Sequence, residues 1–256
     1  MSGGDGQGPD LTGSVALVTG ATSGLGRRFA EVLAAHGAAV AVAGRRTERA
    51  QEVVDGIRAR GGTAVPVALD VRDASAITAA LDTVEADLGT VDVLVNNAGV
   101  PDARRAHRMP LELVDDVLAT NLRGPWLLAT EVASRLIAAE RPGRVVNVSS
   151  MTAYHYAGEG AALYSVTKAA ISRMTEALAV EWARHEINVT GIAPGAFASE
   201  MMDGMLERMG DITGAFPRRR LGQPDQLDST LLFLVSPASA AVTGTVVKVD
   251  DGQLPR

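Results

Sequence analysis

Tyr164 and Lys168 stand four positions apart in the run Tyr164-Ser165-Val166-Thr167-Lys168. They fall inside GEGAALYSVTKAAISRMTEALAVEWARHE, whose pattern predicts a long helix. Residues four apart on a helix share a face, with Cβ atoms roughly 5–6 Å apart. A free tyrosine titrates near ~10 and is a poor base at neutral pH. An ammonium about 5 Å away, at an effective dielectric of ~20, attracts the phenolate by about 3 kcal/mol. That is about two pKa units, which brings Tyr164 into the range of general acid–base chemistry. The same spacing also arises where a core-facing aromatic stands beside a solvated lysine, so the pair gains meaning only from its neighbours.

The elements before it set out a ligand site. Residues 14–19 (SVALVT) are apolar and rich in branched side chains, which predicts a buried parallel strand. TGATSGLG follows, then RRFAEVLAAHG, with helical spacing and Gly37 as its stop. A glycine-rich turn between strand and helix lets the backbone approach a pyrophosphate at the helix N-terminus. The spacing here is Gly20, Gly24, Gly26 rather than G-x-G-x-x-G, and a glycine-rich turn without a ligand would look alike. The second strand, 38–43, ends at Gly44, followed by Arg45 and Arg46. A carboxylate at that place bonds a ribose 2′-hydroxyl. Two guanidiniums suit a 2′-phosphate instead, which predicts NADP(H) over NAD(H); two solvated arginines at a loop are the plainer account.

Strands and helices then alternate: helix 47–62, strand 63–69 ending at Asp70, helix 74–89, strand 91–95. This predicts an α/β fold, a doubly wound parallel sheet with helices on both faces. Asp70 falls on the ligand side of such a sheet, or caps the next helix. Asn96-Asn97-Ala98-Gly99 suits a backbone touching a ligand, or a simple turn. Residues 110–140 form a long helical region. Asn121 in its interior, with Gly124-Pro125 behind, is locally unfavourable, and local rules tend to break where function needs it. Residues 143–150 are a fifth strand ending in Ser149 and Ser150, 186–193 a sixth before Pro194-Gly195, and 244–249 the last, after a helix at 222–236. Tyr154 and Tyr156 meet Gly158 and Gly160 four positions on, not a lysine.

The 256 residues suffice for one large domain, placed at 11–256. Residues 1–10 are glycine-rich and polar, lack the pattern of a secretory signal, and read as a disordered tail. A net charge of −6 argues against nucleic-acid or membrane-surface partners. The absence of cysteine excludes disulfide and thiol chemistry and fits a reducing, cytoplasmic compartment. No apolar run reaches membrane-span length, and no His/Asp/Glu cluster has metal-ligand spacing.

Taken together and in order, TGATSGLG, NNAG, the Asn121 segment, VNVSS, YSVTK and IAPG resemble the short-chain dehydrogenase/reductase family in its compact, single-domain, Rossmann-like form. The resemblance runs from about Leu11 to Gly252. It implies a hydride moved between a nicotinamide cofactor and a secondary alcohol/ketone. It makes Tyr164 the acid–base residue, with Lys168 lowering its pKa and bonding the nicotinamide ribose. Ser150 would hold the substrate oxygen and Asn121 a proton-relaying water. Cofactor contacts would come from Gly20, Thr22, Ser23, Gly24, Leu25 and Gly26, then Arg45 and Arg46, then Asp70 and Val71. Asn97, Ala98, Gly99, Pro194 and Gly195 would complete them, with Tyr164 and Lys168.

A 3-oxoacyl-carrier-protein reductase is one alternative, with Arg104, Arg105 and Arg108 as a basic patch for the acidic carrier. A non-catalytic NAD(P)-binding sensor is another; it would not need Ser150. Two departures stand out. Ser150 to Tyr164 spans fourteen positions, slightly more than the family usually shows, which should lengthen the loop 151–163. The closing Asp-Gly-Gly reads Asp250-Asp251-Gly252. Met201, Met202, Met205 and Met209 make a soft apolar face, a lid over substrate by resemblance or a helix packed on the core. Tyr154, His155 and Tyr156 could form an aromatic rim. On the long helix, Tyr164, Lys168, Ile171, Thr175, Leu178 and Trp182 face inward. Val166, Ala169, Ala170, Arg173, Ala177 and Val180 leave the other face mostly small and apolar, which predicts a homo-oligomer. The resemblance points to a tetramer.

Overall fold

The computed structural model describes residues 8–156, 158 and 160–253. β1 (Val15–Thr19) leads into α1 (Gly24–Ala35), β2 (Ala39–Gly44) into α2 (Thr47–Ala59), and β3 (Thr63–Ala68) into α3 (Ala74–Asp87). β4 (Val93–Asn96) is followed by α4 (Leu111–Leu118), a π-helical turn (Ala119–Arg123) and α5 (Gly124–Ala138). β5 (Gly143–Val148), α6 (Ala162–Trp182), β6 (Ile187–Pro194), α7 (Glu200–Met209), α8 (Asp228–Val235) and β7 (Val246–Val249) complete the chain. The strands form one sheet in the order β3-β2-β1-β4-β5-β6-β7, every pair parallel. Strand order reverses between β1 and β4, and in such sheets the crevice at that point takes the ligand.

Alternating side chains of each strand feed two cores. Ala16, Val18, Val40 and Val42 pack with Phe29, Leu33, Val54, Ile57 and Leu231 on the α1, α2 and α8 side. Val15, Leu17, Ala41 and Ala43 pack with Leu81, Leu128, Leu136, Ile171, Leu178 and Trp182 beneath α3, α5 and α6. Both faces are therefore covered, as the near-continuous apolar strands require.

Several expected boundaries move. The strand expected at 63–69 stops at Ala68, that at 91–95 runs Val93–Asn96, and that at 143–150 stops at Val148. Ser149 and Ser150 thus lie in the turn beyond the sheet. The continuous helix expected over 110–140 is three pieces, because the π turn inserts an extra residue per turn at Asn121. A Cβ at Gly124 would meet the Val71 carbonyl oxygen at 2.7 Å, so glycine lets α5 start hard against that loop. Of the expected tail, residues 1–7 lie outside the described residues. Asp10 accepts from the Thr12 amide at 2.9 Å, and a Cβ on Gly8 would meet His36 Nε2 at 2.7 Å, so this part touches the fold.

A buried polar chain fixes α6 on the sheet. Asn96 Nδ2 donates to Asn147 Oδ1 at 3.0 Å, and Asn147 Nδ2 donates to Thr175 Oγ1 at 3.0 Å. Ser149 Oγ donates to the Lys168 carbonyl at 2.9 Å and meets Ser172 Oγ at 2.8 Å. Apart from Asn96 Oδ1, which has no partner among the described residues, the named side-chain groups are paired, and such buried networks help specify one arrangement.

Candidate active site

A cavity of about 1330 Å³ opens at the carboxyl ends of β1, β4, β5 and β6. Every expected cofactor residue lines it, from Gly20 through Gly195, together with Ser150, Tyr164 and Lys168. Asn121 does not; it stands behind the wall.

The first turn is built for close approach. Gly20 and Gly24 take φ of 62° and 52°, the left-handed region open to glycine. A Cβ at Gly26 would lie 2.4 Å from both Asn97 Nδ2 and the Gly20 carbonyl oxygen. Thr19 Oγ1 accepts from the Asn97 and Ala98 amides at 3.0 and 3.1 Å, tying this turn to the one after β4. Ser23, the N-cap of α1, gives no side-chain cap bond, and the first turn holds no acid. A bare helix N-terminus on a cavity fits a pyrophosphate. At the far end Arg46 donates to Thr22 Oγ1 at 3.0 Å and to Ser23 Oγ at 2.8 Å, while Arg45 is exposed. The residues present therefore fit a dinucleotide.

Asp70 is not the cap of α3. Asp73 is, accepting from the Ser75 and Ala76 amides at 2.9 and 3.3 Å. The Asp70 carboxylate is instead forked onto Arg72 at 2.9 and 2.6 Å, which holds its pKa at about 2. Arg72 also binds Asp116 of α4.

Around Tyr164 the groups converge. The first turn of α6 is capped from afar: Asp102 Oδ2 accepts from the Leu163 and Tyr164 amides at 2.9 and 3.1 Å. Sequence reading missed Asp102, since nothing local marks an aspartate in a loop as the cap of a helix some sixty residues on. Lys168, only 4% exposed, donates from Nζ to the Val148 carbonyl at 2.7 Å. A Cβ on Gly99 would lie 3.7 Å from Lys168 Nζ and 3.5 Å from Asn121 Oδ1, so the three meet at one point. Asn121 is held on both sides by Val100, accepting its amide at 2.8 Å and donating to its carbonyl at 2.9 Å. Ser150 Oγ accepts from the Thr152 amide at 3.2 Å. Ser149 is turned inward on α6, leaving Ser150 as the hydroxyl beside Tyr164.

The charge balance differs from the expectation that Lys168 lowers the Tyr164 pKa. Burial pushes the phenol up to about 12, the Ser150 hydroxyl opposes this, and the Asp102 carboxylate adds to it. Burial also brings Lys168 down to about 8. Desolvation is the leading cause for both groups and pushes each towards its neutral form.

Over the cavity, Met201, Met202, Met205 and Met209 of α7 all line the wall, with Ile212 and Phe216. No residue of α7 is buried, so it borders the cavity rather than packing into the core. His155 and Tyr156 join the rim, but Tyr154 does not. Its ring lies 4.0 Å beneath Lys248 Nζ and its hydroxyl donates to Ser172 Oγ at 3.4 Å. Within the longer loop, residues 157 and 159 lie outside the described residues. In the closing motif Asp251, at φ 53°, pairs with Arg218 and Arg220 at 2.7 and 2.8 Å, linking the segment after α7 to the final turn. Among the described residues no three His, Cys, Asp or Glu side chains group as a metal site, and no helix is long and apolar enough to cross a membrane.

Residues 14–209 match the profile of the short chain dehydrogenase family. The gluconate 5-dehydrogenase of Gluconobacter oxydans is 36% identical over 250 residues, covering 94% of this chain and 95% of the relative. The crystal structure of a short-chain type dehydrogenase/reductase from Mycobacterium marinum superposes with a TM-score of 0.93 at 33% identity, covering 96% and 98% of the two chains. The actinorhodin polyketide ketoreductase, solved as a point variant with NADPH, superposes at 0.89 with 32% identity, covering 96% and 99%. The chain belongs to the short chain dehydrogenase family. It is an oxidoreductase that transfers hydride between a nicotinamide cofactor and an alcohol/ketone carbon.

Proposed function

We propose that this short chain dehydrogenase prefers NADP(H) and works on a secondary alcohol/ketone pair with Tyr164 as its proton donor and acceptor. The observation that carries the reading is the convergence of Ser150, Tyr164 and Lys168 in one cavity with the glycine turn, and of Asn121 just behind Gly99. A bound nicotinamide supplies the hydride from its C4. The chain's own residues do the rest. Ser150 holds the substrate oxygen beside the Tyr164 hydroxyl, and Tyr164 delivers a proton to that oxygen. In the reverse direction the Tyr164 oxygen takes the proton back from the alcohol. Lys168, fixed by Val148, presents its ammonium between Tyr164 and Gly99, where ribose hydroxyls can accept from it. The methionine lid excludes water from the reacting atoms.

Arg45 and Arg46 beside a non-acidic Gly44 support NADP(H). A homo-oligomer, as a tetramer, belongs to the same proposal, as does the cytoplasmic location suggested by the cysteine-free sequence. The test is a panel of ketones, 2- and 5-keto sugar acids included, with NADPH and NADH in turn, read by nicotinamide absorbance. Turnover with NADPH well above NADH supports the reading. No turnover on any carbonyl, despite tight cofactor binding, would favour the sensor alternative.

A second reading has one observation behind it. Arg104, Arg105 and Arg108 are exposed, and the backbone of Arg104 lies against Gly160 of the cavity wall. That basic edge suits an acidic carrier protein delivering a 3-oxoacyl group. Carrier-bound substrate reduced far better than its free small thioester would favour it.

A further inference from the structure

We infer that Glu200, the first residue of the lid helix, is a cofactor-selectivity determinant: its carboxylate occupies the anion position of the Arg46–Arg49 pair and competes there with the 2′-phosphate of NADP(H). The inference rests on the NADP(H) reading above. Arg46 Nη1 donates to Glu200 Oε2 at 3.0 Å, and Arg49 Nη1 donates to Glu200 Oε1. One carboxylate thus bridges two guanidiniums at the start of α2, each oxygen taking one. Arg46 is at the same time held over the mouth of the nucleotide turn by Thr22 Oγ1 and Ser23 Oγ, the place where the adenosine ribose of a dinucleotide on α1 would end. Arg45, Arg46, Glu200, Thr22 and Ser23 all line the one cavity.

The chemistry sets the direction of the effect. A 2′-phosphate is an anion needing the Arg46 N–H donors, so it must displace Glu200 or share Arg46 with it against like-charge repulsion. A plain 2′-hydroxyl carries no charge and can instead donate to Glu200, as it does to the acidic residue at the end of β2 in NAD-binding folds. Here that end is Gly44, and Glu200 brings a carboxylate to the neighbourhood from the other side of the cavity. Glu200 therefore narrows the preference for NADP(H) that Arg45 and Arg46 create. It also fastens the lid to the cofactor side through α2.

The experiment is calorimetric titration of the full chain with 2′,5′-ADP and with 5′-ADP, fragments that carry or lack the 2′-phosphate and need no turnover. Wild type, Glu200→Gln and Arg46→Gln are compared. Both side chains are solvent-facing, so the variants keep the fold. Glu200→Gln is expected to tighten 2′,5′-ADP by about threefold or more, the scale of one exposed charge pair, and to leave 5′-ADP unchanged or weaker. An equal change for both fragments, or none, overturns the inference. Arg46→Gln separates the two ideas. If it weakens 2′,5′-ADP selectively while Glu200→Gln has no effect, only the role of Glu200 fails. If wild type and Arg46→Gln bind both fragments alike, the NADP(H) reading itself fails.

Discussion

The Lys168 ammonium stands 5.5 Å from the centre of the Tyr164 ring and gives a hydrogen bond to the Val148 carbonyl rather than to the phenol. The two side chains are close enough to couple, yet the cavity desolvates both, and each is pushed towards its neutral form. Tyr164→Phe removes the proton and keeps the ring. It should lower kcat by about 10²–10⁴ with cofactor affinity nearly unchanged. Single-turnover rates and cofactor titration check this; a variant retaining most of its rate on a good substrate refutes the assignment.

Lys168 gives a pH signature independent of turnover. Its folded pKa, about 8, is below the ordinary 10.5, so between those values the folded chain binds fewer protons than the unfolded one. Stability therefore rises with pH across that window: the burial cost is complete below the folded value and gone above the unfolded one. Lys168→Met has nothing to titrate. The melting temperature of this variant minus that of wild type should be largest near neutrality and shrink as pH rises from about 8 towards 10, without cofactor. A difference that stays constant would mean the ammonium is not desolvated.

Asn121 is a structural clamp before it is anything else. It satisfies both the amide and the carbonyl of Val100, just after the turn carrying Gly99. Asn121→Ala leaves both without that partner and should cost about 1–3 kcal/mol in urea unfolding, with weaker cofactor binding. Asn121→Asp would set a buried carboxylate oxygen against the Val100 carbonyl and should cost at least as much as Asn121→Ala at neutral pH. Unchanged stability in Asn121→Ala would leave only the water-holding role that the family resemblance implies.

What is legible in the sequence is what is local. The alternation of strands and helices, the positive-φ glycine turn after β1 and the shared helix face of Tyr164 and Lys168 are each written in a short stretch, and the structure has each of these local features. The π turn shows in the sequence only as a conflict, Asn121 in a helix before Gly124-Pro125, and the partner of Asn121 within it, Val100, lies about twenty residues away. Asp102 capping α6 and Glu200 bridging Arg46 and Arg49 carry no sequence signal, since their partners lie far off in the chain. Tyr154 reads as rim but is not, because Lys248 and Ser172, which hold it, come from β7 and α6. The pKa of Tyr164 escapes the sequence for a different reason: spacing gives the Coulomb attraction, but desolvation depends on the assembled cavity.

Gly44 limits any redesign towards NAD(H). A Cβ there would lie 2.8 Å from Thr22 Cγ2, a branched side chain with little room to yield, and Gly44 has no positive φ. The difficulty is space, not backbone strain. Gly44→Ala should destabilise by about 1–3 kcal/mol, and Thr22→Ser, which lacks Cγ2, should restore most of it. Gly44→Asp should accordingly improve NADH binding only together with Thr22→Ser. Thermal melts of the single and double variants decide this; a Gly44→Ala protein as stable as wild type would show that Thr22 moves freely.

The outer face of α6 is the last test. The inward stripe behaves as read, with Lys168, Ile171, Thr175, Leu178 and Trp182 all buried. The opposite stripe is uncovered by this chain: Val166 is 62% exposed, Val180 is 81%, and Ala169 and Ala177 are exposed beside them. Trp126, on the neighbouring α5, is also exposed, at 46%. Water against two valines, alanines and an indole is a cost that a second copy of the same face removes, and small residues let two helices approach closely. A face that pairs with itself across a twofold axis gives a dimer, and a second such axis gives the tetramer proposed above. Ala170→Glu with Ala177→Glu places two carboxylates on the stripe without touching the inward residues. The double variant should sediment as a smaller species than wild type, and activity should fall because α6 also carries Tyr164 and Lys168. Wild-type protein that sediments as a monomer at micromolar concentration refutes the assembly, whatever the variant does.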